Sequence, residues 1–439
     1  MKRIEKLCFA PPPTIHSKYP TFLKFSAIAL VINSLFSTAG YSKVLSLVGS
    51  NFQTNNGNNV YTITSEDQLG KLSLQLPSSS QKYVLTAESD SIAVDEVTST
   101  VIKITGPRKY SDENSSTIEI GKPMIIGNNN ANQTQTVESS SLISFDDGAD
   151  GYVKADFSTG SIHFQNITLK SSSSSGSGII DASFAGWAYR FDLDFEIDGN
   201  LTFDNISYIS DENKNKNKNK HLINLYYNKP EEDNVIYFNV TGSTQINNTT
   251  SNSFVKSDNA TVELKDVTVK GSHFNIFLDL SGKSFKANDI SIFNTEIQQL
   301  VDASNNNFHV NSISYGGSSE GTFLSEGMNF MNFTDSSITI KKNLSIQNLN
   351  FSAYEGTSAH LIEFENSNKI SIGNSLTGPD EYAIDLQNID FYANTQVYQE
   401  YEEPIALVSF HAKESRYENE KENENDIVFT YPHPLSWYD

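Results

Sequence analysis

Hydrophobic positions along the chain fall into one short recurring phrase: apolar-x-apolar-x-polar-apolar-x-apolar. The clearest copies are Ile162-x-Phe164-x-Asn166-Ile167-x-Leu169 and Leu201-x-Phe203-x-Asn205-Ile206-x-Tyr208. Further copies centre on Asp266, Asp289, Ser312, Asn348 and Asn388. Apolar residues two apart turn one face of a strand inward. Between the second and third apolar positions the gap is three, which on a straight strand would throw the second pair to the opposite face. A corner at the polar residue returns both pairs to one interior. Asn and Asp suit that corner because they tolerate left-handed backbone and satisfy local backbone groups.

A second phrase alternates with the first: Leu142-Ile143-Ser144-Phe145, Leu222-Ile223-Asn224-Leu225, Leu361-Ile362-Glu363-Phe364 and Leu407-Val408-Ser409-Phe410. Weaker versions stand at Ile179-Ile180, Phe254-Val255, Leu300-Val301 and Phe323-Leu324. Successive corner residues are 39, 61, 23, 23, 36 and 40 apart, which approximates whole multiples of a unit of roughly 18 to 23 residues, a solenoid period. The pattern predicts an all-β chain wound as a parallel β-helix over 131–410, right-handed by the default chirality of parallel crossovers. Some 15 to 18 coils would make a rod of about 80 Å. The seven corner residues would stack as a hydrogen-bonded ladder. Residues 43–130 are strand-like without the corner phrase and read as a cap or irregular first coils; 411–439 read as an acidic tail. A β-sandwich, the competing fold, would show hairpin turns, for which only Asn56-Gly57 and Asp198-Gly199 offer themselves.

The first 42 residues read as an address. Lys2, Arg3, Lys6, Lys18 and Lys24 precede the apolar run Phe25–Phe36, and small residues around Ser37–Ser42 offer a cleavage site, the layout of an extended secretory signal. Cleavage near Ser42 would remove five basic residues and Glu5, taking the net charge from -22 to -26, and Cys8 with them. Cys8 precedes the apolar run, which argues against a lipoprotein anchor. That run is too short for a spanning helix, and none later approaches the needed length. A surface-displayed or soluble mature chain is therefore expected.

Composition narrows the chemistry. Charged residues make up only 19% and hydrophobic residues 37% of the chain, and uncharged Ser, Asn and Thr fill much of the rest. The acidic balance disfavours nucleic acid as a partner. A single cysteine excludes a disulfide framework and a cysteine zinc site.

The most unusual local run is Arg190-Phe191-Asp192-Leu193-Asp194-Phe195-Glu196-Ile197-Asp198. As a strand it would line one face with four carboxylates. Those could hold Ca²⁺ or supply an acid/base pair for sugar chemistry, although a solvated solenoid face accounts for them more simply. Asp146–Gly151 resembles a fragment of a calcium loop but lacks its downstream Glu, and reads as a turn. The Lys-Asn run Lys214–Lys220 reads as a tolerant loop, as does Ser171–Ser175. His163, His221, His273, His309, His360, His411 and His433 show no metal-ligand spacing. The Asn-x-Ser/Thr sequons at Asn166, Asn200, Asn205 and Asn239 follow from composition. No catalytic residue, metal or cofactor is expected.

Together, the corner phrase, the Leu-Ile-x-Phe phrase and the extended signal resemble the passenger region of bacterial autotransporters. The cysteine-poor, Asn/Ser/Thr-rich character is most similar to the vacuolating-cytotoxin-like passengers. The resemblance covers residues 1–410 at the level of pattern. It implies a pectin-lyase-like β-helix, exported to the outer membrane surface or secreted, that contacts host cells or extracellular matrix as an adhesin or virulence factor. It also implies a translocating β-barrel, for which too little chain follows Asp390. A translocator supplied separately, or missing, is therefore expected. Two other functions share the fold: a polysaccharide lyase or hydrolase, and a toxin-like passenger fragment that permeabilises membranes.

Overall fold

The computed structural model describes residues 43–428 apart from 48–52, 56–57, 65–68, 76–81, 106–114, 147–152, 172–176, 185–190, 211–219, 228–234, 319–321, 324–328, 354–359, 368, 374–382, 394–407 and 412–426. The expected signal with Cys8, the turn after Asp146, the Lys-Asn run up to residue 219 and His433 lie outside the described residues, as does nearly all of the expected tail. The described chain is an all-β parallel β-helix. Its strands pair in parallel with strands one coil away, and no helix occurs among the described residues.

Four stacks of strands, named here A to D in the order the chain visits them, make up the coils from Ile102–Thr105 onward, while the described strands of the first two coils and of the last fill only part of this set. Sheet A carries the Leu-Ile-x-Phe phrase and runs from Lys43–Leu47 through Ile143–Asp146, Lys220–Tyr227 and Glu296–Ser304 to Val408–His411. Sheet B includes Val153–Thr159, Phe191–Ile197, Val235–Val240 and Ala260–Glu263. Sheets C and D are often the two halves of one bent strand, as in Ile162–Ser171 and Leu201–Ser210. Strands of the expected cap, Asn58–Ile63, Leu69–Gln75 and Ile102–Thr105 among them, pair into the same sheets, so the coil runs back to Lys43. At the far end Ile427–Val428, inside the expected tail, pairs with Lys369–Ile372 of sheet B. The hairpin signal at Asn56-Gly57 lies outside the described residues; the strands on either side of it, Gln53–Asn55 and Asn58–Val60, pair antiparallel. Asp198-Gly199 instead turns a parallel corner between sheets B and C.

The coils are longer and fewer than the expected 15 to 18: sheet A contains twelve strands among the described residues. One coil takes 43 residues from Asp181 to Asn224 and 23 from Lys256 to Asp279. Insertions explain the difference. The longer coils carry connections such as 185–190, 211–219 and 228–234, whereas the coils between Asn248 and Gly316 have none.

The interior follows from the alternation. Leu193, Phe195 and Ile197 point inward and are at most 1% exposed. Register then stacks like upon like. Phe164 and Phe203 are partners with ring centroids 5.2 Å apart and nearly parallel planes. Phe285 over Phe308 and Phe333 over Phe364 repeat this. Phe145, Phe157, Phe195 and Phe238 form a chain of edge and tilted contacts. Such pairs add about 0.5–1.5 kcal/mol each beyond burial.

The seven expected corner residues divide between two different corners. Asn166, Asn205, Asn348 and Asn388 turn the chain from sheet C to sheet D. Asp266, Asp289 and Ser312 lie between sheets B and C. Only at the first corner does the left-handed expectation hold, with φ of 52° at Asn166, 54° at Asn205 and 58° at Asn348. Asp266, Asp289 and Ser312 do not have positive φ. Their bend lies between strands of differing direction and needs no left-handed residue. The same corner in earlier coils uses Gly160, Gly199 and Gly242.

Candidate functional site

Corners come first, because they place every outward side chain. At the C-to-D corner Asn205 Nδ2 donates to Asn166 Oδ1 at 2.8 Å, and Asn166 Nδ2 donates to the Asn128 carbonyl at 2.8 Å. The column continues through Asn248, Gly271 and Asn294, all with positive φ. The repeat phrase does not extend to these three, because the following apolar residue is replaced by Thr249, Ser272 and Thr295. Those hydroxyls build a ladder of their own. Thr249 N–H donates to Ser272 Oγ at 3.1 Å, and Ser272 Oγ donates to the Lys270 carbonyl at 3.1 Å. Gly271 fits this column tightly: a Cβ there would meet Asn248 Oδ1 at 2.9 Å.

A second left-handed column was not anticipated. Asn259, Gly282, Asn305, Asp335 and Asn366 turn sheet A into sheet B. Only Asp335 and Asn366 of these five are followed by Ser, and there Ser336 N–H donates to Ser367 Oγ at 3.3 Å. At the B-to-C corner Asp289 Oδ1 accepts from Asn311 Nδ2 at 2.8 Å and Ser312 Oγ at 2.6 Å.

The richest chemistry lies on the outward side of sheet A. The residue after each apolar pair of the Leu-Ile-x-Phe phrase faces out. Register stacks Ser144, Asp181, Asn224, Lys256, Asp279, Asp302, Asn332 and Glu363 in one row. The preceding apolar pair explains how the row is held. Both members are buried because the chain bends between them; Leu142 and Ile143 are each 0% exposed. The Leu142 carbonyl accepts from both Val101 and Ile102 N–H, which marks the bend.

This row is unusually covered for an outward face. Asp181, Asn224 and the neighbouring His221 are buried. Asn224 Nδ2 donates to Asp181 Oδ1 at 2.9 Å, Lys256 Nζ to Asp279 Oδ2 at 2.6 Å, and Asn332 Nδ2 to Asp302 Oδ1 at 3.1 Å. Burial pushes the Asp181 carboxyl up to about 6, against the pull of its bonds from Asn224 and Ser183 and of the Lys220 charge. Burial also raises Asp302, and Asp279 adds to the rise. His221, whose Nδ1 lies 2.6 Å from Ser253 Oγ, is lowered to about 3 by burial and then by Lys256 and Lys220. Beside it, at the bend into sheet A, Lys220 Nζ donates to Ser177 Oγ at 3.0 Å and sits 5.6 Å over the Tyr208 ring. Burial lowers Lys220, with Asp181 opposing.

The carboxylate run lies elsewhere, on sheet B. In Phe191–Ile197 the side chains of Asp192, Asp194 and Glu196 face outward, and Asp198 follows at the corner. Asp194 is raised by partial burial and then by Asp156, Glu196 and Asp192. Neighbouring coils supply amides and hydroxyls: Asn239 Nδ2 donates to Glu196 Oε1 at 3.4 Å, and Thr241 Oγ1 to Asp198 Oδ1 at 3.0 Å. Among the described residues no group of three or more His, Cys, Asp or Glu is placed to hold a metal ion. The sequons at Asn166 and Asn205 sit within the corner ladder, while Asn239 faces outward on sheet B.

Compared with protein-family models, with curated proteins and with solved structures, the chain matches none.

Proposed function

We propose that this chain is an exported passenger-type solenoid, displayed at the outer membrane surface or secreted. It acts by contact with a host-cell surface or extracellular matrix, in the manner of an adhesin, and not by catalysis. The observation that carries the reading is the outward row of sheet A. Its polar groups are bonded to one another from coil to coil, Asn224 to Asp181, Lys256 to Asp279 and Asn332 to Asp302. Asp181 and Asn224 are buried beneath this face, while the half-exposed members Lys256, Asp279, Asp302, Asn332 and Glu363 present a rigid polar surface. The resemblance of the repeat phrases and the leader to autotransporter passengers supplies the surface location. The test is retention of the purified protein on cultured cells and on immobilised matrix proteins. Specific retention above a heat-denatured control is expected; a protein that washes through every surface overturns the reading.

A second reading, a polysaccharide hydrolase or lyase, is favoured by Asp279 and Asp302. They are register partners on adjacent coils, with Lys256 bonded to the first and burial raising the second. Two neighbouring carboxyls in unlike environments can divide acid and base roles. This second reading rests on that pair of sheet A and not on the Asp192–Asp198 run. Release of new chain ends from a panel of polysaccharides, lost in Asp302→Asn and in Asp279→Asn, would establish it. No release from any substrate removes it.

A further inference from the structure

Sheet B turns outward a face whose two ends carry opposite charge. Register defines two rows on it. One runs Thr117, Asp156, Asp194, Tyr237, Thr261, Ser284, Asn307, Ser337, Lys369. Beside it runs Glu119, Ser158, Glu196, Asn239, Glu263, Lys286, His309, Thr339, Ser371. Asp156, Asp192, Asp194 and Glu196 crowd the earlier coils, with Asp198 at their edge. Lys369 stands on the later coils, with Lys341 and Lys342 at the corresponding edge and the neutral His309 between.

The middle is internally neutralised: Lys286 Nζ pairs with Glu263 Oε1 at 2.6 Å, and Tyr237 OH donates to Glu263 Oε2 at 2.9 Å. At the acidic end Lys82 pairs with Glu119 at 2.5 Å and Lys154 is in register with Asp192, but carboxylates still outnumber these cations. Asp194 is raised by burial and then by three neighbouring carboxylates. His309 is lowered by burial and then by Lys341 and Lys286. Asp156, Asp194, Lys341 and Lys369 are exposed.

We propose that this chain pairs with a second copy of itself, face B against face B, antiparallel about a twofold axis near the strand Ala260–Glu263. A twofold contact sets each surface patch against its symmetry mate's other end. Reversing the direction of one rod lays the acidic coils of each copy over the basic coils of its partner, in both halves at once. A parallel arrangement would set acid on acid and base on base, which is repulsive. The face is narrow and polar, so the dimer belongs to the weak, salt-sensitive class of interfaces. This inference does not depend on the contact partner proposed above.

Sedimentation velocity of the full chain over a wide concentration range tests it. A monomer–dimer equilibrium is expected at low ionic strength, with the dimer fraction falling as salt is added. Asp156→Lys with Asp194→Lys makes both ends basic, and Lys341→Glu with Lys369→Glu makes both ends acidic. Each variant alone is expected to be monomeric, and an equimolar mixture of the two should dimerise again. Circular dichroism checks that each variant keeps its β spectrum; if one does not, the single changes Asp194→Lys and Lys369→Glu carry the same test. The proposal is overturned by a wild-type chain that stays monomeric at low salt. It is also overturned by a reversed variant that dimerises alone as well as wild type, or by a mixture that stays monomeric.

Discussion

Asn205 shows what one corner residue contributes. It holds φ of 54° and bonds to Asn166 on the preceding coil. Left-handed backbone costs an ordinary L-residue about 1–2 kcal/mol, and a net hydrogen bond is worth about 1 kcal/mol. Asn205→Ala should therefore lower stability by about 1–3 kcal/mol, and Asn205→Gly by less, because glycine removes the bond but not the backbone compatibility. Urea titration of the three proteins gives the order. Thr244 makes the opposite case. Its hydroxyl is buried without a partner, between Leu201 and Val267 in register. Thr244→Val should raise the denaturation midpoint by the equivalent of about 1 kcal/mol.

Two buried titrating groups have opposing signs. Asp181 is raised from 3.8 to about 6, so its contribution is full below pH 3.8 and is lost as pH rises through about 6. His221 is lowered from 6.5 to about 3, so its contribution is present above pH 6.5 and is lost as pH falls toward 3. In Asp181→Asn the first term disappears. That variant should be more stable than wild type at neutral pH, with the gap closing by pH 3.8. A gap that is constant with pH would contradict the burial assigned to Asp181.

Among elements, the bent strands explain which parts of the fold were legible. Where an apolar pair stands on each side of the corner, as around Asn166 and Asn205, the phrase is complete and the bend can be read directly. Where Thr249, Ser272 and Thr295 fill the inward position, the bend survives because the hydroxyls satisfy the corner's backbone, yet the hydrophobic signal vanishes. The phrase also treated Asp266 and Asp289 as equivalent to Asn166. A three-residue gap signals a change of direction but not which corner, and only pairing partners separate the two. The row on sheet A was present in the same way, as the unassigned third position of the Leu-Ile-x-Phe phrase. Its chemical character depends on stacking Asp181 against Asn224 and Lys256 against Asp279, from residues 43 and 23 apart. In the core, Phe195 touches Phe145, Phe157 and Phe238 across neighbouring coils. Phe195→Ala should cost about 3–5 kcal/mol by thermal or urea unfolding.

At the scale of the whole molecule, solenoid stability is close to a sum over neighbouring coils. The 23-residue coils without insertions are interchangeable units: Gly271 and Asn294 occupy the same corner in consecutive coils, and Lys270 pairs with Phe293. Deletion of 271–293 should therefore leave a folded chain, with Asn294 taking the place of Gly271 and a coil fewer. An unchanged shape of the β spectrum and a cooperative melt are the expected outcome. Deleting one residue more, 271–294, should instead abolish folding, because a one-residue slip turns every inward side chain out.

Periodicity by itself determined the class of this protein: inward pairs separated by a polar corner, repeated at solenoid spacing, admit few folds besides a parallel β-helix. It did so because burial of alternate residues is a local property of each strand, visible without knowing the partner. Tertiary structure decided what is shared between coils. It sorted the corner residues into separate columns and brought distant carboxylates and amides into the buried row on sheet A. It also set the acidic and basic coils at opposite ends of one face on sheet B. Those depend on how many residues each coil spends in its insertions, and that number changes register between coils while leaving each local phrase intact.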